Sequence, residues 1–551
     1  MNKHLLGATA LAAAAMPSSA LACGGFFCNN SAPVDQSAER IVFAVDEGEG
    51  TVDTHVQIFY QGDAQDFAWI VPTPNLPELF LSTDELFTQL DWQTRPYFNL
   101  MWEEWGDCYQ GGGILTGNTQ DDTAEFDSAD EDGGDPGVTI IEQAQVGPYD
   151  TVILQADTSA ELITWLQDNN YDLPDTLDTV LNPYVAGEQY FVALKLQKDK
   201  EVGDIAPIGF TYAGTQPAVP IQLTSVAATP DMRLEVYVFS EERAVPENYY
   251  HVQINEAAVD WLSGGSNYNS VITLAADEAG GHAFATDFSG STTPFAGSLH
   301  WAGRYDTAAI ASATSPEQAM DAIMGQFAAS GTLMNLLLSY MPPPEGVDAQ
   351  SFYNCVGCYE TGGMTVDYEG FAAALDEFLV QPAINAEKLF TEHSTVSRMT
   401  SSLSPLEMTI DPMFVQNSTM ADVSNVHEAT LIMDCRGNRS WYDARRRVVL
   451  EDGRVILLPS QEYFDGAGES SADFLAESTD VNALVIEQTS ADGEPVLLTD
   501  NREAADANLD DHNDRVDEIE GAVGCGCSAS GGAGSLLFAL PLLALIRRRQ
   551  A

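Results

Sequence analysis

The side chains best suited to chemistry in this chain are its cysteines. Eight occur: Cys23, Cys28, Cys108, Cys355, Cys358, Cys435, Cys525 and Cys527. Thiolates bind metals, attack electrophiles or exchange with disulfides, and spacing and compartment decide between these. In NCVGCY, Cys355 and Cys358 stand at C-x-x-C spacing. A zinc site would need a second pair of thiolates or histidines, and the sequence holds no partner C-x-x-C. A redox pair favours a helix start after a strand, whereas Pro-rich and Gly-rich segments flank this one. The spacing therefore reads as a structural disulfide, given an oxidising compartment.

Other catalytic patterns are absent. No G-x-S-x-G elbow, H-E-x-x-H zinc helix or P-loop occurs, and His427-Glu428 lacks a second histidine four residues on. A hydrolytic site would have to be assembled from distant residues, with His251, His282 or His427 beside acidic partners. Calcium has two candidate loops. DSADEDGGD fails the twelve-residue register: with Gly133 at position six, Ser128 and Thr139 take positions one and twelve. In DANLDDHNDRVD, Asp506, Asn508, Asp510 and Asp517 match ligand positions, but Asp511 replaces the turn glycine. An acidic solvated helix is the simpler reading there. No other cofactor is expected.

The charge balance narrows the partners. Acidic side chains number 83 against 22 basic ones, for a net charge of −61. Such a chain repels the phosphate backbone, so nucleic acid is not an expected partner. Arg445-Arg446-Arg447 is the one basic cluster of the body, and it is expected to pair with neighbouring carboxylates.

The two ends carry addresses. MNKHLLGATALAAAAMPSSALA has the basic start, apolar middle and Ala20-Leu21-Ala22 cleavage site of a secretory signal. Cleavage leaves Cys23 first in the mature chain, which opens a lipidated alternative; Ala20 stands where a lipobox prefers leucine. Export makes the six cysteines before the tail disulfide candidates. Short loops favour Cys23–Cys28 and Cys355–Cys358, leaving Cys108 with Cys435, although sequence alone does not choose. At the other end, Ser528–Ile546 is 19 residues long. As a helix it would cover about 28 Å, close to the ~30 Å hydrocarbon core. Arg547, Arg548 and Arg549 then stay cytoplasmic and the body lies on the other side. Gly, Ser and Pro541 in that span suit a temporary membrane passage.

The elements that must position these residues read as α+β, disulfide-containing and β-rich in the first half. In VDTHVQIFY, Val52, Thr54, Val56, Ile58 and Tyr60 share one face, which places His55 on a wetter face with Asp53 and Gln57. Ser82 and Glu85 stand at capping-box spacing, and Thr158 and Glu161 open a helix whose Leu162, Trp165 and Leu166 share a face. In MRLEVYVFS, Leu234, Val236 and Val238 alternate with Arg233, Glu235 and Tyr237. The texture is helical around 315–395, where the Met-rich face reads as core. Hairpins near the C-terminal end turn at Asp452-Gly453 and Asp492-Gly493.

The expected organisation is a signal peptide at 1–22, a β-rich part at 23–118 and an acidic linker at 119–136. An α+β domain follows at 137–310, then a helical and β-hairpin domain at 311–500. An acidic stalk at 501–523 and a sorting tail at 524–551 complete it.

Several stretches resemble one family. CGGFFC, APVDQSAERIVFAVD, VQIFYQGDAQDFAWIVPTP, VGPYDTVIL, NYYHVQINEAAVDWLSGGSNYN and DVSNVHEATLIMDC are similar to the bacterial domain of unknown function 2330. The resemblance implies an exported bacterial protein and supplies no catalytic residues. The tail resembles the MYXO-CTERM sorting region, with Cys525 and Cys527 before an apolar span and a basic end. That resemblance implies proteolytic processing near the cysteines and surface display. The expected partners are signal peptidase, a C-terminal sorting protease and the membrane. The reading is an exported cell-envelope or cell-surface protein that acts by interaction or as a structural component. The alternatives are a secreted hydrolase with a non-standard site and an acidic calcium-dependent adhesin.

Overall fold

The computed structural model describes residues 36–58, 68–108, 138–169, 171, 177–197, 205–226, 228–301, 303–437, 439–467, 474 and 479–524. The signal peptide with Cys23 and Cys28, the acidic linker, and the tail with Cys525, Cys527 and Arg547 to Arg549 lie outside the described residues. The fold is α+β, as the sequence predicts.

A ten-stranded mixed sheet runs through the body in the order 496–500, 483–488, 250–254, 283–291, 395–403, 228–240, 36–46, 51–58, 208–213, 78–81. Its strands come from both halves of the chain. Alternation along Ala228–Ser240 sends Leu234, Val236 and Val238 to one face, where they pack with Ile41, Phe43, Val45 and Met399. That core is completed by Trp69, Val71, Tyr149, Val192 and Leu194 from a four-stranded sheet ordered 68–73, 190–196, 149–156, 138–146. Helices Ser159–Asp168 and Leu177–Ala186 cover the outer side of that second sheet through Leu162, Trp165, Leu166 and Leu181. Thr158 caps the first of them, accepting from the Glu161 N–H.

The opposite face of the large sheet is also covered. Val42, Ala44, Tyr237 and Phe239 pack beneath helices Asp84–Thr94 and Gln381–Glu392 through Phe87, Leu90, Leu389 and Phe390. Full burial of each such ring or aliphatic chain contributes on the order of 1.5–3 kcal/mol. This cover corrects the placement of His55. Its strand face is not wet: His55 is 2% exposed, with Nδ1 2.7 Å from Ser82 Oγ. Because His55 takes that hydroxyl, Ser82 is not the cap of the next helix; Thr83 is, accepting from the Glu85 N–H.

A helical insertion separates strands 283–291 and 395–403. Pro316–Met324 and Gly331–Tyr340 are two helices, each capped by a serine. They pack on Ala349–Asn354 and Tyr368–Leu375 through Met320, Ile323, Leu337, Phe352 and Phe371. Another four-stranded sheet, ordered 455–458, 445–450, 426–434, 97–105, shares a core with helices Tyr268–Glu278 and Arg502–Gly524. Leu509 and Val516 bind the last helix to that core, and His512 Nε2 lies 2.9 Å from the Leu457 carbonyl oxygen.

Candidate functional site

Strands Tyr250–Ile254, Ala283–Ser291 and Ala483–Gln488 adjoin in the large sheet. Residue 251 is paired directly across from Glu487 on one side and Phe284 on the other. Directly opposed residues point to the same face, so His251 and Glu487 meet, and Thr286, two along from Phe284, joins them. His251 Nδ1 lies 2.8 Å from Glu487 Oε1, and Nε2 lies 3.0 Å from Thr286 Oγ1. With the proton on Nδ1, the imidazole donates to the carboxylate and accepts from the hydroxyl. Burial alone would raise the Glu487 carboxyl, but the hydrogen bond from His251, with help from the Arg243 charge, holds it below its usual value. Arg243 Nη2 donates to the same Thr286 oxygen at 3.3 Å, and Nη1 to the Ala421 carbonyl at 2.7 Å. The register shifts between Thr286 and Phe288, a bulge that re-aims the hydroxyl. Carboxylate, imidazole and hydroxyl in this order form the relay used to activate an oxygen nucleophile, with a guanidinium beside the oxygen.

The remaining histidines have separate partners. His427 Nδ1 lies 2.7 Å from Glu256 Oε1, with its ring stacked on Phe98. His282 Nε2 lies 3.1 Å from Thr409 Oγ1. The structure thus gives acidic partners to His251 and His427, and does not gather the three histidines into one site.

Sequence reasoning missed the densest polar cluster. Arg398, fully buried, holds Asp287 at 3.1 Å through Nε, Glu235 at 3.3 Å through Nη2 and Asp91 at 3.1 Å through Nη1. Arg40 and Arg233 reach the same Glu235 at 2.9 and 2.8 Å. Thr400 and Tyr268 donate to Asp287, and Tyr237 to Glu235. The alternation of Arg233 and Glu235 with apolar residues was a visible signal, but Glu235 proves buried and Arg233 half-buried.

The cysteines form two described disulfides. Cys108 is joined to Cys435, with Cα atoms 5.3 Å apart, and Cys355 to Cys358, with Cα atoms 5.4 Å apart. Cys435 is buried, whereas Cys355 and Cys358 are exposed. Close approach at the first bridge depends on Gly106, at φ +93: a Cβ there would meet the Arg436 nitrogen at 3.1 Å.

Asp506, Asn508, Asp510 and Asp517 lie on the continuous helix Arg502–Gly524 and not in a loop. Asp517 pairs with Arg445 at 3.3 Å. Among the described residues, no group of three His, Cys, Asp or Glu side chains is placed to hold a metal ion. The arginine cluster is partnered: Arg445 by Asp517 and Glu520, Arg447 by Asp434, and Arg446 by the Pro459 carbonyl and the Phe464 ring. No helix among the described residues is long and apolar enough to cross a membrane.

Fold and site together define a disulfide-linked α+β protein whose buried ionic groups are matched within the sheet. The model of a family described as an uncharacterized protein conserved in bacteria, domain of unknown function 2330, matches residues 17–322, more than half of the chain. The chain belongs to that family. No curated protein and no solved structure matches it.

Proposed function

We propose that this protein is exported to the bacterial cell envelope or surface and acts there by interaction or as a structural component. The observation that carries the reading is the Cys108–Cys435 disulfide, which ties residues 327 positions apart. Such bonds persist in oxidising compartments and are rare in the cytosol. The signal-like N-terminus and the tail with Cys525, Cys527 and Arg547 to Arg549 support the same route. Signal peptidase removes residues 1–22. The tail, of MYXO-CTERM type, passes into the membrane and is processed near its cysteines, with the body on the non-cytoplasmic side. The acidic surface keeps the protein from nucleic acid. Intact-mass spectrometry of the native protein, before and after reduction, tests this. The expected masses lack residues 1–22, carry a shortened or modified tail, and shift on reduction for at least two disulfides. A full-length, fully reduced chain would refute the reading.

A second reading, a secreted hydrolase, is favoured by the Glu487–His251–Thr286 relay. Thr286 would attack an ester carbonyl while His251 takes its proton, and Arg243 would face the developing oxyanion. The native protein should then hydrolyse activated esters, and T286A and H251N should abolish this while circular dichroism shows the fold retained. No turnover by the wild type removes the reading.

A further inference from the structure

Between the helical insertion and the sheets lies a cleft of about 270 Å³. One wall is a single face of the helix Gly331–Tyr340, where Thr332, Asn335, Leu336, Ser339 and Tyr340 recur at three- and four-residue spacing, the polar groups flanking one leucine. The helix turns Leu333 and Leu337 the other way, into its own core. The rest of the lining is apolar, with Pro148 from the turn between strands 138–146 and 149–156 and Phe378 from the insertion. Phe378 belongs to a π-helical turn, Asp376–Val380, set between helices Tyr368–Leu375 and Gln381–Glu392. Such turns carry extra residues out of register and occur often at functional sites.

The lining holds no carboxylate, ammonium or guanidinium group, in a chain with 83 acidic side chains. An uncharged lining does not compensate a ligand charge, and the chain's net charge of −61 repels anions. The ligand is therefore neutral. The Thr332 and Ser339 hydroxyls on that wall both donate and accept hydrogen bonds. A wholly apolar ring would strip water from them without replacing those bonds. An apolar cavity of about 150 Å³ holds benzene, so this volume suits a ring compound of about twelve heavy atoms. We infer that the cleft binds a neutral pyranose sugar, its C–H face on Phe378 and Pro148 and its hydroxyl edge on the Gly331–Tyr340 helix.

This inference rests on the interaction reading, and the mass measurement above stays independent of it, so either can fail alone. Saturation-transfer NMR on the full chain would use methyl glucoside, methyl galactoside, methyl mannoside and N-acetylglucosamine, with glucuronate and indole as counter-probes. A neutral dextran would distinguish a glycan chain from a free sugar. At least one neutral pyranose should bind saturably. F378A should weaken that binding about tenfold or more, and T332V, which removes one hydroxyl at nearly constant shape, severalfold. Unchanged melting temperatures check the fold, and T332V carries the test if F378A does not fold. No binding of any neutral pyranose, equal binding of glucuronate or indole, or binding unaffected by the variants would overturn the inference.

Discussion

The two disulfides should differ sharply in what they contribute, because they close loops of very different length. Cys108 and Cys435 are 327 residues apart, and Cys355 and Cys358 are three apart. In the chain-entropy account, a cross-link removes about 2.1 + 1.5R ln n cal/mol/K from the unfolded ensemble. At 298 K that gives roughly 6 kcal/mol for the long loop and roughly 2 kcal/mol for the short one. The long-loop value is an upper figure, since a realistic unfolded chain is already compact.

The perturbation is paired replacement, C108A/C435A against C355A/C358A, followed by calorimetry without reductant. With an unfolding entropy of about 2.1 cal/mol/K per residue over about 500 residues, 1 kcal/mol shifts the midpoint by about 1 °C if the body melts as one unit. The expected losses are therefore about 6 °C and about 2 °C. Cys435 is also buried, so its variant loses some packing as well, which widens the gap. Equal shifts for the two pairs, or a larger one for C355A/C358A, would refute the reasoning. Limited reductant should act first at the exposed Cys355–Cys358 bond, which mass spectrometry after alkylation would identify.

Two further perturbations probe the buried polar groups. Burial holds the His55 imidazole down at about 3, whereas an unfolded histidine titrates near 6.5. The unfolded chain therefore binds the extra proton: the stability contributed is complete above about pH 6.5 and is lost as pH falls toward 3. Between pH 7 and pH 5 the wild type should lose about 2 kcal/mol more than H55N, and parallel profiles in pH-dependent denaturation would count against this. R398M should destabilise by about 3–5 kcal/mol, because it leaves the buried Asp287 and Glu235 short of their central cation. A neutral R398M in chemical denaturation would mean that Arg40 and Arg233 alone neutralise the cluster.

Local chemistry was legible in the sequence, and long-range cover was not. The hairpins turn at Asp452-Gly453 and Asp492-Gly493 because Gly453 and Gly493 supply the positive φ that such turns need, at 90° and 84°. The Thr158 cap and the face of Leu162, Trp165 and Leu166 follow from spacing within one helix. By contrast, period-two alternation states which residues share a face and not what lies over it. His55 looked like a wet position until helices from distant segments closed over its face of the sheet. The site behaves the same way. His251 stood out as a candidate, but its partner Glu487 is 236 residues away and meets it only through strand register. The cleft is a boundary between two units, so no single stretch of sequence marks it.

The placement of cations ties these findings together. The whole chain has 22 basic side chains against 83 acidic ones, yet Arg40, Arg233 and Arg398 all converge on Glu235 inside the sheet. Arg243 points at Thr286 beside the Glu487–His251 pair. These arginines stand where a buried carboxylate would otherwise be uncompensated. A surface so acidic resists polyanions and other copies of itself. Recognition by this body must then proceed either through cationic partners or where charge is absent. The cleft lined by Phe378 is such a place, which is why a neutral ligand there is the sharper test of what the protein does.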